Sequence, residues 1–398
     1  MGLRRPRSRL GRASPHAATL VALFLVAANL RPALSSVAAL LETIRSDLGL
    51  SAAVAGLLST IPVLCMGLLA PLAAIAAGRF GIERSIGWGV LIICVSMLLR
   101  LAGGNAIALF ASVLGAGTGI ALAGTLLVGF VKDRFPHRVG LVTGIYTVGL
   151  TTGATAAAGL TVPLEELIGS WTGALASWAM LAALALVVWR PVSRGAPARP
   201  QEPTGALPWR DARAWLVTVF FGVQAISFYS ALTWVSPLFE SLGRSKFEAG
   251  WLLAIMNGGQ IVGAILVPWI TDRTGSRRGS LVVSLTLSGL GFVLLALVPE
   301  LAPALLTALL GTAMGGLFAI ALTLPADCAS DTKAAHGMAG MALGVGYAMG
   351  AVGPFAAGAL YDATGSFTVP FIALAALQVV MLLTVPALVA APGRRSLG

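Results

Sequence analysis

An arginine stands in the middle of an apolar stretch near the start of the chain. Arg31 lies in Ala28-Asn29-Leu30-Arg31-Pro32, within an apolar run from about 17 to 41. If that run crosses a bilayer, the guanidinium costs roughly 2.5–3.5 kcal/mol, and such charges usually serve a function. No carboxylate lies within reach along the sequence, because Glu42 is about 16 Å further along a helix. We therefore expect Arg31 to face a substrate.

The other polar side chains inside apolar runs are few and neutral. For each of them, a hydrogen bond between helices is as good an interpretation as contact with a ligand. Pro32 disturbs the backbone hydrogen bonding of the preceding turn, which would let Asn29 and Arg31 approach one cavity. The candidate substrate-binding residues, besides Arg31, are Asn29, Tyr146, Gln224, Tyr229, Asn257, Gln260 and Tyr347.

Residues that would support catalysis or metal binding are scarce. The sequence has no metal-ligand spacing, no nucleophile–base arrangement and no phosphate-binding loop. The three cysteines have no paired spacing and are predicted to be small buried apolar residues. We therefore expect no enzymatic activity, no metal and no cofactor. The histidines and cysteines are His16, His137, His336, Cys65, Cys94 and Cys328.

Composition places the chain in a membrane. Of its 398 residues, 57% are hydrophobic and only 10% are charged, whereas soluble proteins carry about 25% charged residues. The net charge of +11 could indicate nucleic acid binding. However, the positive residues form short clusters between apolar runs, which is typical of membrane topology. We therefore expect a lipid bilayer as surroundings and no nucleic acid partner.

Twelve apolar runs approach or exceed the roughly 20 residues that a membrane-spanning helix needs. They predict an all-α integral membrane protein with 12 transmembrane helices in two six-helix pseudo-repeats. The runs cover about 17–41, 52–78, 85–103, 105–131, 138–162, 168–189, 214–238, 247–271, 280–298, 302–325, 335–360 and 367–391.

One long polar stretch, rich in Pro, Arg and Gly, separates the first six runs from the last six. Of the 26 Lys and Arg residues, only Arg45, Arg100, Arg244 and Lys246 fall on the side opposite the chain ends. Positive residues mark the cytoplasmic side, so both termini are predicted to be cytoplasmic. The predicted divisions are a tail at 1–16, a bundle at 17–189, a linker at 190–213, a bundle at 214–391 and a tail at 392–398.

The two halves resemble each other in sequence. A shift of 194 positions aligns charged residues and glycines at helix ends. A parallel repeat of six plus six helices places a binding site near the membrane midplane, between the halves. Glycines are frequent in the fifth and eleventh runs, where small residues allow helices to pack closely. The two interpretations are helix surfaces that slide past each other during transport and static close packing. The aligned pairs include Arg79 and Arg273, Gly81 and Gly275, Arg84 and Arg278, and Asp133 and Asp327.

The loop after the eighth run reads Asp272-Arg273-Thr274-Gly275-Ser276-Arg277-Arg278. It resembles the signature loop of major facilitator proteins, although Pro268 stands where the first glycine of that signature usually lies. The first-half copy has Gly78 in place of the aspartate. A charged loop of this kind can latch one side of a transporter, and an ordinary positively charged turn is the alternative. The predicted gating residues are Arg79, Gly81, Asp272, Arg273, Gly275 and Arg277.

Two longer segments carry a further resemblance. The first comprises 28–37, with the Asn-Leu-Arg-Pro motif, and 44–51; the second comprises 344–354 and 360–365, which contains Tyr361-Asp362. Both resemble the cyanate and nitroimidazole transporter family, a bacterial branch of the major facilitator superfamily. The resemblance implies the major facilitator fold, the bacterial inner membrane and transport by rocking of two halves. We also expect the protein to be a monomer.

These observations predict a carrier of a small anion such as cyanate, with Arg31 as the counter-charge. The alternative cargo is a neutral heteroaromatic compound of nitroimidazole or drug type, imported or exported. Exporters of cationic drugs would favour a buried acid, whereas Arg31 is a base. A receptor built on this fold is an alternative of another class, and it would be expected to carry a signalling domain. Facilitated diffusion, exchange and cotransport, with protons as a candidate partner, all remain open.

Overall fold

A computed structural model describes residues 15–194, 207–329 and 331–389 of the chain, and every regular element in these ranges is helical. The predictions for the tail at 1–16, the linker at 190–213 and the tail at 392–398 fall largely or wholly outside the described residues. The all-α fold class is confirmed.

Within the described residues, ten α-helices precede residue 195, and we call them the first half. Short helices α2, α3 and α9 interrupt the long ones. The ten are α1 (Pro15–Ala28), α2 (Pro32–Ala39), α3 (Leu41–Asp47), α4 (Ala52–Leu68), α5 (Ala70–Phe80), α6 (Ile82–Leu99), α7 (Ala106–Arg134), α8 (Val139–Ile168), α9 (Trp171–Ser177) and α10 (Ala179–Ser193).

In the described part of the chain after residue 206 there are seven α-helices, and we call them the second half. They are α11 (Ala212–Ser241), α12 (Lys246–Thr274), α13 (Arg277–Leu297), α14 (Pro303–Cys328), α15 (Thr332–Gly350), α16 (Val352–Thr364) and α17 (Thr368–Val389).

These helices supply the predicted spans. Within the described residues, eleven segments are long and apolar enough to cross a membrane. The pair α4 and α5, bent by 55° at its junction, forms a twelfth when counted as one span. Each predicted apolar run coincides with one of these twelve segments. The length of the apolar runs identified the spans, because a helix needs a long apolar stretch to cross a hydrocarbon core of about 30 Å.

Prolines lie at three of the breaks within spans. Pro32 is the first residue of α2 and Arg31 is its N-cap. Since proline has no N–H, it cannot continue the hydrogen bonding of α1, and the span breaks between Ala28 and Arg31. Pro71 follows the bend between α4 and α5, and Pro354 follows the break between α15 and α16.

The two halves pack closely through glycines. A Cβ atom built on Gly56 of α4 would lie 2.5 Å from the carbonyl oxygen of Pro354 in α16. A Cβ on Gly67 would lie 2.5 Å from the carbonyl oxygen of Gly344 in α15. On the other flank, a Cβ built on Gly159 of α8 would lie 3.4 Å from the Cβ of Ala254 in α12. These small residues let backbones of opposite halves touch.

The contacts between halves lie towards one end of the molecule. We call the end with the start of α4 and the end of α16 the far side, and the opposite end the linker side. Near the linker side, Cβ atoms built on Gly78, Gly140 and Gly144 would meet nothing within 4 Å. The halves therefore close on the far side, while these parts of α5 and α8 have open space beside them.

Substituting Gly56 by Ala should weaken the contact between α4 and α16, because the neighbouring atoms are backbone and cannot rotate away. Overpacking of this kind costs about 1–3 kcal/mol. We expect a lower melting temperature for purified Gly56→Ala than for the unaltered protein. Gly78→Ala is the control, since a methyl group there enters open space. Equal losses in the two variants would contradict the packing described here.

Candidate substrate site

Arg31 lies where the first span breaks, and it points into the second half. Its side chain is buried, with 8% of the residue exposed. Its Nη1 donates a hydrogen bond of 3.1 Å to the hydroxyl of Tyr229 in α11. That hydroxyl lies 3.8 Å from the sulfur of Met66 in α4. The guanidinium therefore joins the two halves of the molecule.

Aromatic rings surround the guanidinium. Its Cζ lies 5.5 Å from the ring centroid of Phe228 and 5.6 Å from that of Tyr229, within the range of cation–π attraction. The ring of Tyr347 in α15 packs edge-on against Tyr229 at 6.3 Å and against Phe221 at 5.1 Å. Two of the predicted tyrosines, Tyr229 and Tyr347, thus lie in the aromatic group around Arg31, and Tyr146 of α8 packs against the buried core.

Arg31 forms no ion pair in the part of the chain that the structure describes. It is also the N-cap of α2 and makes no side-chain capping bond there. The N-terminus of a helix carries a partial positive charge and favours anions. A cation at this position therefore adds to the positive potential. An anion or a strong hydrogen-bond acceptor would be attracted both by the unpaired guanidinium and by the N-terminus of α2.

Two predicted site residues point elsewhere. Asn29 is fully buried and its amide donates to the carbonyl oxygens of Leu25 at 2.8 Å and Leu181 at 3.2 Å, both in the first half. Gln224 donates at 3.5 Å to the carbonyl oxygen of Met314, inside the second half. The sequence could not indicate these directions, because it does not fix how each helix is rotated.

Two more predicted residues lie on α12. Asn257 is buried, donates to the carbonyl oxygen of Leu253 at 3.1 Å, and has an Oδ1 atom without a partner. Ala254, one turn earlier, faces Gly159 of the first half, so Asn257 lies on the same side of the helix. Gln260 follows three residues later, with its side chain nearly buried. Both remain predictions as ligand contacts.

The signature loop forms the expected turn. Gly275 has a positive φ of 63°, and Gly81 in the first-half copy has a positive φ of 86°. Arg277 pairs with Asp327 and Thr323 of α14, and Arg273 lies 4.0 Å over the ring of Trp269. These contacts lie within the second half, so the latching role remains a prediction. The other two predicted gating residues, Arg79 and Asp272, are exposed near the ends of their helices.

A carboxylate joins the halves on the far side. Asp362, at the end of α16, accepts hydrogen bonds from the backbone N–H groups of Ala52 at 2.9 Å and Ala53 at 2.8 Å. These are the first residues of α4, where a negative charge also meets the helix dipole favourably. Lys246 and Glu165 pair at 3.6 Å between α12 and α8. In the sequence, Asp362 stood out only as part of a family resemblance, which did not indicate this contact.

An apolar groove lies away from this site. It has a volume of about 690 Å³ and runs between α4 and α7, with Ile61, Leu68 and Ile107 among its lining residues. None of the predicted site residues lines it. Leu68 and Ile107 are largely exposed, as expected for a surface that faces lipid. The described residues include no group of three or more side chains able to hold a metal.

The fold and the site together define a class of protein. Twelve spans, halves in contact on the far side, and a buried charge between the halves are the architecture of a membrane transporter. The model for the Major Facilitator Superfamily matches residues 19–243 and again 221–397. The chain belongs to the Major Facilitator Superfamily, in the branch that includes cyanate and nitroimidazole transporters.

Three relatives match along most of the chain. The 2-nitroimidazole transporter of Escherichia coli (strain K12) is 34% identical over 91% of this chain and 93% of the relative. The cyanate transport protein CynX of the same strain is 31% identical over 87% and 91%. The uncharacterized transporter YycB of Bacillus subtilis (strain 168) is 32% identical over 91% of each. The chain is therefore a transporter and not an enzyme.

Solved structures with low sequence identity share the fold. A point mutant of the nucleoside transporter NupG aligns with a TM-score of 0.77 at 15% identity, over 93% of this chain and 99% of that one. A bacterial homologue of the human lysosomal transporter Spinster aligns with a TM-score of 0.74 at 17% identity, over 95% and 97%.

Removing the hydroxyl of Tyr229 should destabilise the protein, because Arg31 loses the hydroxyl to which its Nη1 donates. Hydrogen bonds to charged groups contribute about 1.5–3 kcal/mol. We expect Tyr229→Phe to lower the melting temperature of the purified protein. Tyr361→Phe is the control, because it keeps the ring that packs on Phe367 at 4.3 Å. Indistinguishable melting of Tyr229→Phe and the unaltered protein would contradict this role.

Neutralising Asp362 should loosen the far side. Asparagine at position 362 keeps one carbonyl acceptor for the two N–H groups and loses the charge. We therefore expect a cysteine placed between the halves to be labelled by maleimide at least about tenfold faster in Asp362→Asn, a factor that corresponds to ~1.4 kcal/mol. The labelled cysteine would replace Thr60, which bonds to Ala351 across the halves, in a background lacking the native cysteines. Asp47→Asn is the control, because Asp47 binds Trp171 within the first half. Equal labelling rates would show that Asp362 does not hold the halves together.

Proposed function

We propose that this transporter carries a small anion across the bacterial inner membrane by alternating access, with Arg31 as the counter-charge for the cargo. The observation that carries this proposal is the buried guanidinium between the halves, which forms no ion pair among the described residues. Cyanate is the first candidate. Its support is the identity of 31% to the cyanate transport protein CynX.

In this proposal the bundles at 17–189 and 214–391 rock about the site, and both termini are cytoplasmic. The support for the orientation is the distribution of Lys and Arg along the chain. With that orientation, the far side faces outwards and is closed. The site around Arg31 would then be approached from the cytoplasm.

A specific observation favours a second candidate cargo. Phe228 and Tyr229 flank the guanidinium, and Tyr347 packs against Tyr229. Flat rings offer stacking surfaces for a heteroaromatic compound, and its nitro oxygens would accept hydrogen bonds from Arg31. The identity of 34% to the 2-nitroimidazole transporter supports this candidate.

Uptake by proteoliposomes tests the assignment of Arg31. We expect saturable uptake of labelled cyanate by the unaltered protein and at least about tenfold lower uptake efficiency for Arg31→Lys. Lysine keeps the charge but loses the planar fork of directed donors. Arg278→Lys is the control, because Arg278 lies in the first turn of α13, away from the site. An inside-negative and an inside-positive potential would report whether net charge moves.

Three results would change the proposal. Undiminished uptake of every tested anion by Arg31→Lys and Arg31→Ala would remove Arg31 from the site. Absence of cyanate uptake at either potential would reject cyanate. Uptake of labelled 2-nitroimidazole under the same conditions would then select the heteroaromatic cargo.

A further inference from the structure

A second arginine is buried in the first half. Arg100 follows α6 in a short 3-10 turn, Arg100–Ala102, and is fully buried. The sequence placed it in a far-side loop, like Arg45 and Arg244, whose side chains remain partly exposed. Arg100 forms no ion pair within residues 15–194, 207–329 and 331–389. A buried cation without a counter-charge is costly to maintain, so its contacts need an explanation.

Both side-chain hydrogen bonds of Arg100 end on α2. Its Nη2 donates to the carbonyl oxygen of Ala33 at 2.8 Å, and its Nη1 donates to the hydroxyl of Ser36 at 3.4 Å. Its Nε has no partner. The arginine therefore directs both terminal amino groups to a single short helix.

The helix to which Arg100 donates is α2, whose N-cap is Arg31. All eight residues of α2 are buried, and the helix lies between a break at Arg31 and another at Leu40. An isolated helix of this length does not hold itself together, so tertiary contacts must set its orientation. Ala33 is only two residues from Arg31. Moving this first turn would move the Arg31 backbone with it.

The anchor is itself held in place. The carbonyl oxygen of Arg100 accepts a hydrogen bond from Gly103 at 2.8 Å. A Cβ on Gly103 would come within 3.2 Å of the ring of Trp171, and Trp171 donates at 2.9 Å to Asp47 at the end of α3. The turn containing Arg100 is thus packed against α9, and α9 is tied to the end of α3.

We propose that Arg100 is a positioning residue for Arg31: it anchors the first turn of α2, so that the Arg31 guanidinium faces Tyr229 and the space between the halves. The consequence for transport rests on the proposed function, in which Arg31 binds an anionic cargo. The anchoring of α2 does not depend on the cargo. The two parts can therefore be tested separately.

Hydrogen–deuterium exchange tests the anchor without any cargo. In the full-length protein, we expect Arg100→Met to raise amide exchange in the peptide covering 32–39 at least about tenfold, the factor that corresponds to ~1.4 kcal/mol. Exchange in α13 and α14 should stay unchanged. Arg244→Met is the control, because Arg244 lies on the far side of the second half and pairs with Glu300 at 3.7 Å. Unchanged exchange of the 32–39 peptide in Arg100→Met would overturn the proposal.

Transport kinetics test the link to Arg31. With labelled cyanate as the cargo, we expect Arg100→Met to raise KM at least about tenfold with a much smaller change in the maximal rate. Combining it with Arg31→Lys should add little to the loss from Arg31→Lys alone, because coupled residues are not additive. Faster exchange in α2 with unchanged KM, or fully additive losses, would overturn the positioning role.

Two milder variants cover the case in which Arg100→Met does not fold. Arg100→Lys keeps the charge and is expected to restore part of both readouts. Ser36→Ala removes one acceptor and should raise exchange at 32–39 by a smaller factor. If neither variant changes exchange, the anchor is overturned. If the unaltered protein takes up no tested anion, the proposed function fails, while the exchange data still decide whether Arg100 holds α2.

Discussion

A positive charge that has to be accommodated away from water is the constraint on which this structure depends. Arg31 obtains its hydrogen bond and its aromatic neighbours from α11, in the other half of the chain. In a low dielectric such contacts replace the hydration that the guanidinium lost. Separating the halves at this level would remove those contacts, and water or a cargo would have to replace them. The charge therefore ties the halves together at the same place where a cargo would enter.

The far side is held by contacts of a different kind. Close backbone packing at Gly56 needs only the absence of a side chain, and Asp362 adds two charge-assisted bonds to the start of α4. The half-exposed pair of Lys246 and Glu165 contributes little, since exposed ion pairs are worth about 0–1 kcal/mol. A transporter needs conformations that differ by only a few kcal/mol. A few short-range bonds at one end meet that need, because they can break without disturbing either bundle.

The sequence predicted what depends on length and composition, and it failed where rotation and tertiary contact decide. Apolar runs located the twelve spans, and Pro32 marked the break at Arg31. Nothing in the chain could show that Asn29 faces Leu181 while Arg31, two residues later, faces Tyr229. Arg100 at the end of a span looks the same in sequence whether its side chain turns outwards to the membrane surface or inwards to α2. Both directions satisfy the same hydropathy pattern.

The two candidate cargoes make similar demands on the site. A guanidinium offers a flat array of donors, and its neighbours Phe228 and Tyr229 present ring surfaces. A compact anion would use the charge and the donors, whereas a nitro-substituted ring would use the donors and the aromatic surfaces. Because one donor of Arg31 is already bonded to Tyr229, the orientation of the remaining donors decides between the two. That orientation follows from the first turn of α2, so selectivity in this proposal depends on how the broken span is held rather than on the identity of Arg31 alone.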